Sequence, residues 1–159
     1  MIKNDMRRLL FKGKKEVDDK GVKEWVEGSL VSTENKYFIL QSKTKTYIPK
    51  GTHTLCSVNC YEVNKKTICQ YTGFEDKNKC KIWEKDIVNI ADIIIGVIVW
   101  NQYLCGFCVR SAEGIYTTLD FSCLSEIKVI GNIVDNPDLL KKKIGTWINS
   151  IILNNQFSH

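Results

Sequence analysis

The sequence predicts a mainly β fold, of the α+β class, with one α-helix at its C-terminal end. Segments rich in β-branched and aromatic residues recur between polar turns, which is the pattern of short strands. Only the last part of the chain carries apolar residues at helical spacing. With 159 residues, of which 43% are hydrophobic, the chain is long enough for one ordinary domain or two very small ones sharing a core.

Short strands fill the first half of the predicted fold. They cover residues 25–31, 37–40, 45–48, 58–63 and 67–72, with polar turns at 32–35 and 41–44. Residues 64–66 separate the last two strands, and this short polar connection predicts a hairpin between them.

The second half contains the stronger predicted strands. They cover residues 82–90, 93–100, 103–110, 115–119 and 126–134. Asn101 and Gln102 lie between two apolar runs and predict a tight hairpin turn. Residues 121–125 predict a short helical turn.

A helix is predicted over residues 136–154. Asn136 is a favourable N-cap, Pro137 suits the first helical position, and Asp138 complements the positive end of the helix dipole. Apolar residues then follow at spacings of three to four, at Leu140, Ile144, Trp147 or Ile148, and Ile151. This apolar face is expected to pack on the sheet, and packing on a partner is the alternative.

The charge balance is modestly basic, with 23 basic against 18 acidic residues and a net charge of +5. Such a balance permits nucleic-acid binding without requiring it, because affinity depends on clustering positive charge against phosphates. Only three arginines are present, which is few for reading base edges.

The expected location is the cytoplasm. The N-terminus lacks the apolar core of a signal peptide, and the longest apolar stretch, residues 87–100, is interrupted by Asn89 and Asp92. An odd number of cysteines, seven, fits reduced thiols. No contact with a membrane is predicted.

The cysteines and the two histidines predict neither a metal site nor a redox centre. Cys105 and Cys108 form a CxxC pair inside an apolar run, and residues three apart in a strand point to opposite faces. His53, Cys56 and Cys60 imitate zinc ligands only if a turn brings the two cysteines together. Nucleophile motifs and phosphate-binding glycine loops are missing. No catalytic residue and no cofactor is therefore predicted.

The carboxylates of Asp76, Glu84 and Asp86 have two interpretations. They suggest the metal ligands of a nuclease, or they serve the fold. In the second interpretation Asp76 starts a turn, while Glu84 and Asp86 share a strand face and pair with Lys77 or Lys81. The second is preferred, because turn carboxylates commonly bond local backbone groups.

The best candidate binding surface surrounds Trp83. Four lysines accompany this ring within nine residues, namely Lys77, Lys79, Lys81 and Lys85. Lysines beside an aromatic ring suit single-stranded nucleic acid, since they contact phosphates while the ring stacks on a base. Aromatic residues on strands more often belong to the core or to cross-strand pairs, and this alternative also applies to Trp100, Tyr103 and Phe107.

Three segments together resemble one known family. The first joins Arg8-Leu-Leu-Phe-Lys-Gly-Lys to Glu24-Trp-Val-Glu-Gly-Ser-Leu, the second spans 70–78 and 82–88, and the third spans 127–140. In this order they resemble the YopX proteins of phages and prophages. Lys79 and Lys85 depart from the family pattern, which has glycine there. Because glycine supplies a positive φ, Asn78 is expected to take that conformation instead, or the turn to be rearranged.

The resemblance implies a β-rich N-terminal part over residues 6–72, a small SH3-like barrel over 73–135, and a helix over 136–154 packed on the barrel or a partner. It also implies an uncharacterised phage or prophage accessory protein in the cytoplasm of a bacterial host. Without a catalytic constellation, the predicted function is macromolecular binding, either to a protein partner or to a second copy as a homo-oligomer. A nucleic-acid-binding module using residues 77–85 is the alternative, and a metal-dependent enzyme is the third.

Overall fold

The computed structural model describes residues 9–16, 23–42 and 58–140. The chain divides into two compact units, Met1–Tyr71 and Thr72–His159. The predicted strand at 45–48 and the predicted helix beyond residue 140 lie outside the described residues. The predicted division into segments 6–72, 73–135 and 136–154 stays a prediction.

The first unit is an antiparallel sheet. Its strands are β1 (Phe11–Lys14), β2 (Trp25–Ser32), β3 (Tyr37–Ser42), β4 (Val58–Glu62) and the first residues of β5 (Cys69–Glu75). They lie in the order β4-β3-β2-β1-β5. Thr33, whose side chain bonds the backbone of Lys36 in both directions, closes the predicted turn between β2 and β3.

The predicted hairpin between residues 58–63 and 67–72 is wrong. β4 pairs with β3, and β5 pairs with β1. A 3₁₀ turn, Lys65–Thr67, separates the two strands, and the side chain of Asn64 caps it by accepting from the backbone N–H of Lys66. Val63 instead forms a bridge with Lys15, which brings the end of β4 against the end of β1. Long-range pairing therefore overrides the local hairpin signal.

The core of the first unit is small and aliphatic. Val26, Ile39 and Val63 are buried at its centre. Partly buried side chains surround them. Four come from strands β1 to β4 and the fifth follows the 3₁₀ turn, namely Phe11, Leu30, Tyr37, Tyr61 and Ile68. Burial of such side chains supplies the main favourable free energy of this unit.

The second unit contains the remainder of β5 beside β6 (Lys81–Trp83), and a five-stranded antiparallel sheet. The sheet has the order β10-β9-β8-β7-β11. Its strands are β7 (Asp86–Ile90), β8 (Ile94–Asn101), β9 (Gly106–Ser111), β10 (Tyr116–Thr118) and β11 (Ile127–Asn132). A short helix, α1 (Phe121–Leu124), precedes β11 and confirms the helical turn predicted at 121–125.

The core of the second unit centres on β7, whose five residues are all buried. Its fully buried aliphatic residues come from five strands and include Ile82, Val88, Ile98, Val109 and Ile127. The predicted SH3-like barrel is not confirmed, because in the described part of the chain β10 and β11 form the two edges of an open sheet.

Two strand predictions in this unit need correction. The predicted strand 82–90 is two strands, because the chain turns at Glu84 and Lys85 between β6 and β7. The turn after β8 is also longer than the predicted two residues and spans 102–105. There the side chain of Asn101 accepts from the backbone N–H groups of Tyr103 and Leu104, which stabilises the wider loop.

The described residues contain no helix with the length and apolar character that a membrane span requires.

Candidate binding site

Asp76, in the most specific of the sequence motifs, is a buried carboxylate that binds backbone. Its Oδ1 accepts from the N–H groups of Asn78 at 2.8 Å and Cys80 at 2.9 Å, and its Oδ2 accepts from that of Val129 at 3.0 Å. The N–H of Lys77 also donates to the carbonyl of Ile127 at 3.0 Å. Because β11 is a sheet edge, Asp76 and Lys77 satisfy backbone groups that the sheet leaves unpaired. The predicted turn at Asp76 is confirmed.

Asp86 has a similar structural position at the β6–β7 turn. It is buried, and its Oδ2 accepts from the backbone N–H of Trp83 at 2.8 Å. Asp86 is also the first residue of β7, in which every residue is buried. No group of three or more His, Cys, Asp or Glu side chains within residues 9–16, 23–42 and 58–140 is arranged to hold a metal ion. Asp76 and Asp86 thus contact the fold's own backbone. The prediction that Glu84 and Asp86 share a strand face is wrong, because Glu84 lies in the turn between β6 and β7.

The lysines predicted as a binding surface, Lys77, Lys79, Lys81 and Lys85, are here called the basic strip. The first three are exposed and Lys85 is half-buried. Trp83 is only 4% exposed, and the ammonium group of Lys81 lies 5.7 Å from the centre of its ring. The ring therefore belongs to the core, and it offers no open face on which a base could stack. What the strip presents to solvent is positive charge.

The CxxC cysteines lie in different environments. Cys105 is exposed in the loop after β8, with φ of 48°, and its thiol lies against the carbonyl of Gln102. Cys108 is buried in β9, and its thiol lies against the carbonyl of Val99. Burial raises the pKa of the Cys108 thiol, which disfavours the reactive thiolate. Of the other imitated zinc ligands, His53 and Cys56 lie outside the described residues and Cys60 is exposed.

Of the aromatic residues named for the β8–β9 hairpin, two pack against each other and the third is exposed to solvent. Trp100 and Phe107 pack edge to face with ring centres 5.2 Å apart. Tyr103, in the loop, is 88% exposed. The predicted cross-strand alternative is confirmed for Trp100 and Phe107, which are register partners.

A cleft that the sequence did not predict lies at the other end of this hairpin. It has a volume of about 240 Å³ and lies between the β7–β8 turn and the β9–β10 turn. The apolar side chains that line it come from three separate parts of the second unit, namely Ile93, Ile94, Ile95, Ala112, Ile115 and Leu140. Ile93 is 73% and Ile115 is 64% exposed, so branched aliphatic groups face solvent at its mouth.

Two tight turns place these isoleucines at the surface. Ala91 and Asp92 both have positive φ, 52° and 59°, and the N–H of Ile93 donates to the carbonyl of Ile90 at 2.9 Å. The two left-handed residues and this hydrogen bond form a tight β-turn within the three-residue connection between the paired Ile90 and Ile94, where asparagine, aspartate and glycine are the usual residues. Apolar residues at turn positions, here Ile93 and Ile115, are the signal in the sequence that could have indicated the cleft.

The charged residues of the lining are both acidic, Asp92 and Glu113. The carboxylate of Asp92 accepts from the side-chain amide of Asn89 at 2.6 Å. A hydrogen bond from the side chain of Ser111 lowers the pKa of Glu113, so this carboxyl is ionised at neutral pH. In a protein with a net charge of +5, the cleft is therefore a local site of opposite sign.

Comparison with models of known protein families identifies the family of this chain. A family model described as YopX protein matches residues 17–141. The chain belongs to the YopX family. No curated protein matches it significantly.

The structure shows the backbone conformation of the two lysines at which the family resemblance leads us to expect glycine. Lys79 and Lys85 themselves adopt positive φ, 64° and 68°. The expectation that Asn78 takes this conformation is wrong, because its backbone N–H is held by Asp76 and its φ is not positive. The turns thus keep a glycine-like backbone although the side chain is lysine, which carries a steric cost.

Replacing Lys79 by glycine is expected to raise the free energy of unfolding by about 1 kcal/mol. Relief of the left-handed backbone is worth roughly 1–2 kcal/mol, and the added flexibility of the unfolded chain removes about 0.4–1 kcal/mol of it. Equilibrium unfolding in urea measures the change. Lys128, exposed on β11, is the matched control, since Lys128→Gly on a strand is expected to cost about 0.5–1 kcal/mol. Destabilisation by both variants would contradict the strain at Lys79.

Proposed function

We propose that this YopX chain is a non-catalytic accessory protein of phages and prophages, which works in the host cytoplasm by binding another protein through the cleft. The observation that supports this most is the cleft's composition, an apolar lining with exposed isoleucines and two acidic groups. Exposed apolar surface next to polar groups is characteristic of protein interaction sites. Binding by a second copy of the chain is one form of this proposal.

The size of the cleft favours a protein over a small molecule. Sites for drug-sized ligands have volumes of roughly 300–1,000 Å³, and the cleft has about 240 Å³. It suits a few apolar side chains of a partner. The apolar lining gives such a partner burial energy, and the two carboxylates give it orientation and charge preference.

The positions of the motif carboxylates support binding without catalysis. Asp76 and Asp86 are buried, and each accepts hydrogen bonds from backbone N–H groups. A general base or a metal ligand needs an accessible lone pair directed at substrate or metal. Both carboxylates stabilise turns of the fold. Their presence in the family motif is therefore accounted for without a catalytic role.

Nucleic-acid binding through the basic strip is the second candidate function. Lys77, Lys79 and Lys81 are exposed within one hairpin, and exposed lysines at such density attract phosphates. Burial of Trp83 removes the stacking contribution that single-strand binding usually uses. The second candidate therefore depends on charge alone and predicts weak binding that salt abolishes.

Affinity capture from bacteria that carry the phage or prophage tests the proposal. The immobilised full-length chain is expected to retain a specific protein after nuclease treatment. Ile115→Lys is expected to lower the retained amount at least about tenfold, a change of about 1.4 kcal/mol, because a charge replaces an exposed apolar contact. Val31→Lys is the matched control, an exposed aliphatic residue on β2 that should leave retention unchanged. Retention that nuclease removes, or that Ile115→Lys does not affect, would contradict binding at the cleft.

A further inference from the structure

We propose that the chain's own segment after Leu140, residues 141–159, is a built-in ligand of the cleft that an external partner must displace. This rests on the proposed function only in taking the cleft as a binding site. The segment would then act as an intramolecular competitor, and it would indicate the chemistry of the partner, a run of basic residues followed by branched aliphatic and aromatic side chains.

The position of Leu140 is the first support. Its side chain is half-buried and lines the cleft, and residues 138–140 are helical. The first residue of the segment therefore follows directly, in the sequence, a residue that lines the cleft. Tethering of this kind gives an effective concentration on the order of millimolar, which exceeds that of an external partner or a second copy at micromolar concentration.

Charge complementarity is the second support. The segment opens with three consecutive lysines, Lys141 to Lys143. The charged residues of the cleft lining are the carboxylates of Asp92 and Glu113. Opposite charges across an apolar contact favour one register and one partner over others.

The apolar pattern of the segment is the third support. Ile144, Trp147 or Ile148, and Ile151 recur at spacings of three to four residues. A cleft of about 240 Å³ admits a small number of such side chains. Binding of an amphipathic segment by an apolar groove is a recurring mode of recognition, in which anchors at this spacing enter the groove.

Hydrogen exchange of the isolated full-length protein tests the proposal, with mass spectrometry of the peptides that cover residues 144–152. The wild-type segment is expected to exchange at least about tenfold more slowly than an unstructured chain, which corresponds to about 1.4 kcal/mol. Ile115→Lys is expected to remove this protection, and so is the triple change Lys141→Glu, Lys142→Glu and Lys143→Glu. Adding Asp92→Lys and Glu113→Lys to the triple variant is expected to restore it.

Three results would overturn the proposal. Exchange of the wild-type segment at the unstructured rate would show that it does not dock. Protection that survives Ile115→Lys and the charge reversals would reveal a helix that needs no cleft. Protection that increases with protein concentration would assign the segment to the cleft of a second copy. Since the measurement needs no external partner, its outcome is separate from that of the capture experiment.

Discussion

Replacing Asp76 by alanine is expected to lower the free energy of unfolding by about 3 kcal/mol or more. The carboxylate accepts from three backbone N–H groups, those of Asn78, Cys80 and Val129, and is 3% exposed. Alanine leaves three part-buried donors without their acceptor. A buried unsatisfied group costs roughly 1–3 kcal/mol, and the low end of that range for each donor gives about 3 kcal/mol. Since a whole domain is stable by only about 5–15 kcal/mol, the loss is a large fraction of the total.

Equilibrium unfolding in urea, followed by circular dichroism, measures this loss. Glu75→Ala is the matched control, because Glu75 is the exposed neighbouring carboxylate at the end of β5. It is expected to change stability by less than about 0.5 kcal/mol. Asp76→Asn is expected to fall between the two, since its amide keeps one acceptor oxygen and loses the other. Equal midpoints for Asp76→Ala and Glu75→Ala would disprove the structural role of Asp76.

Replacing Gly28 by alanine is expected to destabilise the first unit by at least about 3 kcal/mol, the upper part of the range for overpacking. A Cβ at this position would lie 2.1 Å from the carbonyl oxygen of Leu40 and 2.8 Å from its carbon. Leu40 pairs with Ser29 in the β2–β3 ladder, so relief of the clash requires the two strands to separate. Gly28 is thus required by the close approach of backbone, which explains the glycine of its Trp-Val-x-Gly motif.

Gly106→Ala is the control for Gly28→Ala, because the same chemical change meets little resistance there. A Cβ on Gly106 would find its nearest non-neighbouring atom, the carbonyl oxygen of Leu104, at 3.6 Å. This variant is expected to unfold within about 0.5 kcal/mol of the wild type. Where Gly28→Ala is too unstable for a urea curve, loss of soluble folded protein relative to Gly106→Ala gives the comparison. A Gly28→Ala protein with wild-type stability would contradict the close approach.

Much of the local structure could be predicted from the sequence. Strand positions in the second half agree with β8, β9 and β11 in most residues, and α1 occurs where the helical turn was predicted. Asp76 was correctly interpreted as a turn residue, because an aspartate before Lys-Asn-Lys bonds local backbone in most contexts. These features depend on neighbouring residues, which is the information that a single sequence carries best.

The errors concern contacts between distant residues and unusual backbone. The pairing of β4 with β3, and the bridge between Val63 and Lys15, depend on residues far apart in the chain. The turn between β6 and β7 is not predicted from the sequence, because Lys85 has a positive φ. Glycine is the residue that ordinarily indicates such a turn.

The cleft is not predicted from the sequence either, because the residues that line it are far apart in the chain. Ile93, Ile115 and Leu140 are separated by more than twenty residues each, and only the folded second unit brings them to one cleft. The sequence instead predicts a binding surface at Trp83 and its neighbouring lysines. Alternation of polar and apolar residues does not by itself tell which face of a strand is buried. The structure places that ring in the core.

The central claim is that Asp76 and Asp86 of the YopX motifs serve the fold, whereas the cleft, whose lining apart from Leu140 lies outside the three motif segments, is the proposed partner site. A paired measurement of unfolding free energy and partner retention on two variants tests it most directly. Ile115→Lys is expected to stay folded, with a loss of no more than about 1–2 kcal/mol, and to lose retention, while Lys79→Gly is expected to gain stability and keep retention. Retention that persists in Ile115→Lys but disappears in Lys79→Gly would move the binding site to the basic strip and contradict the claim.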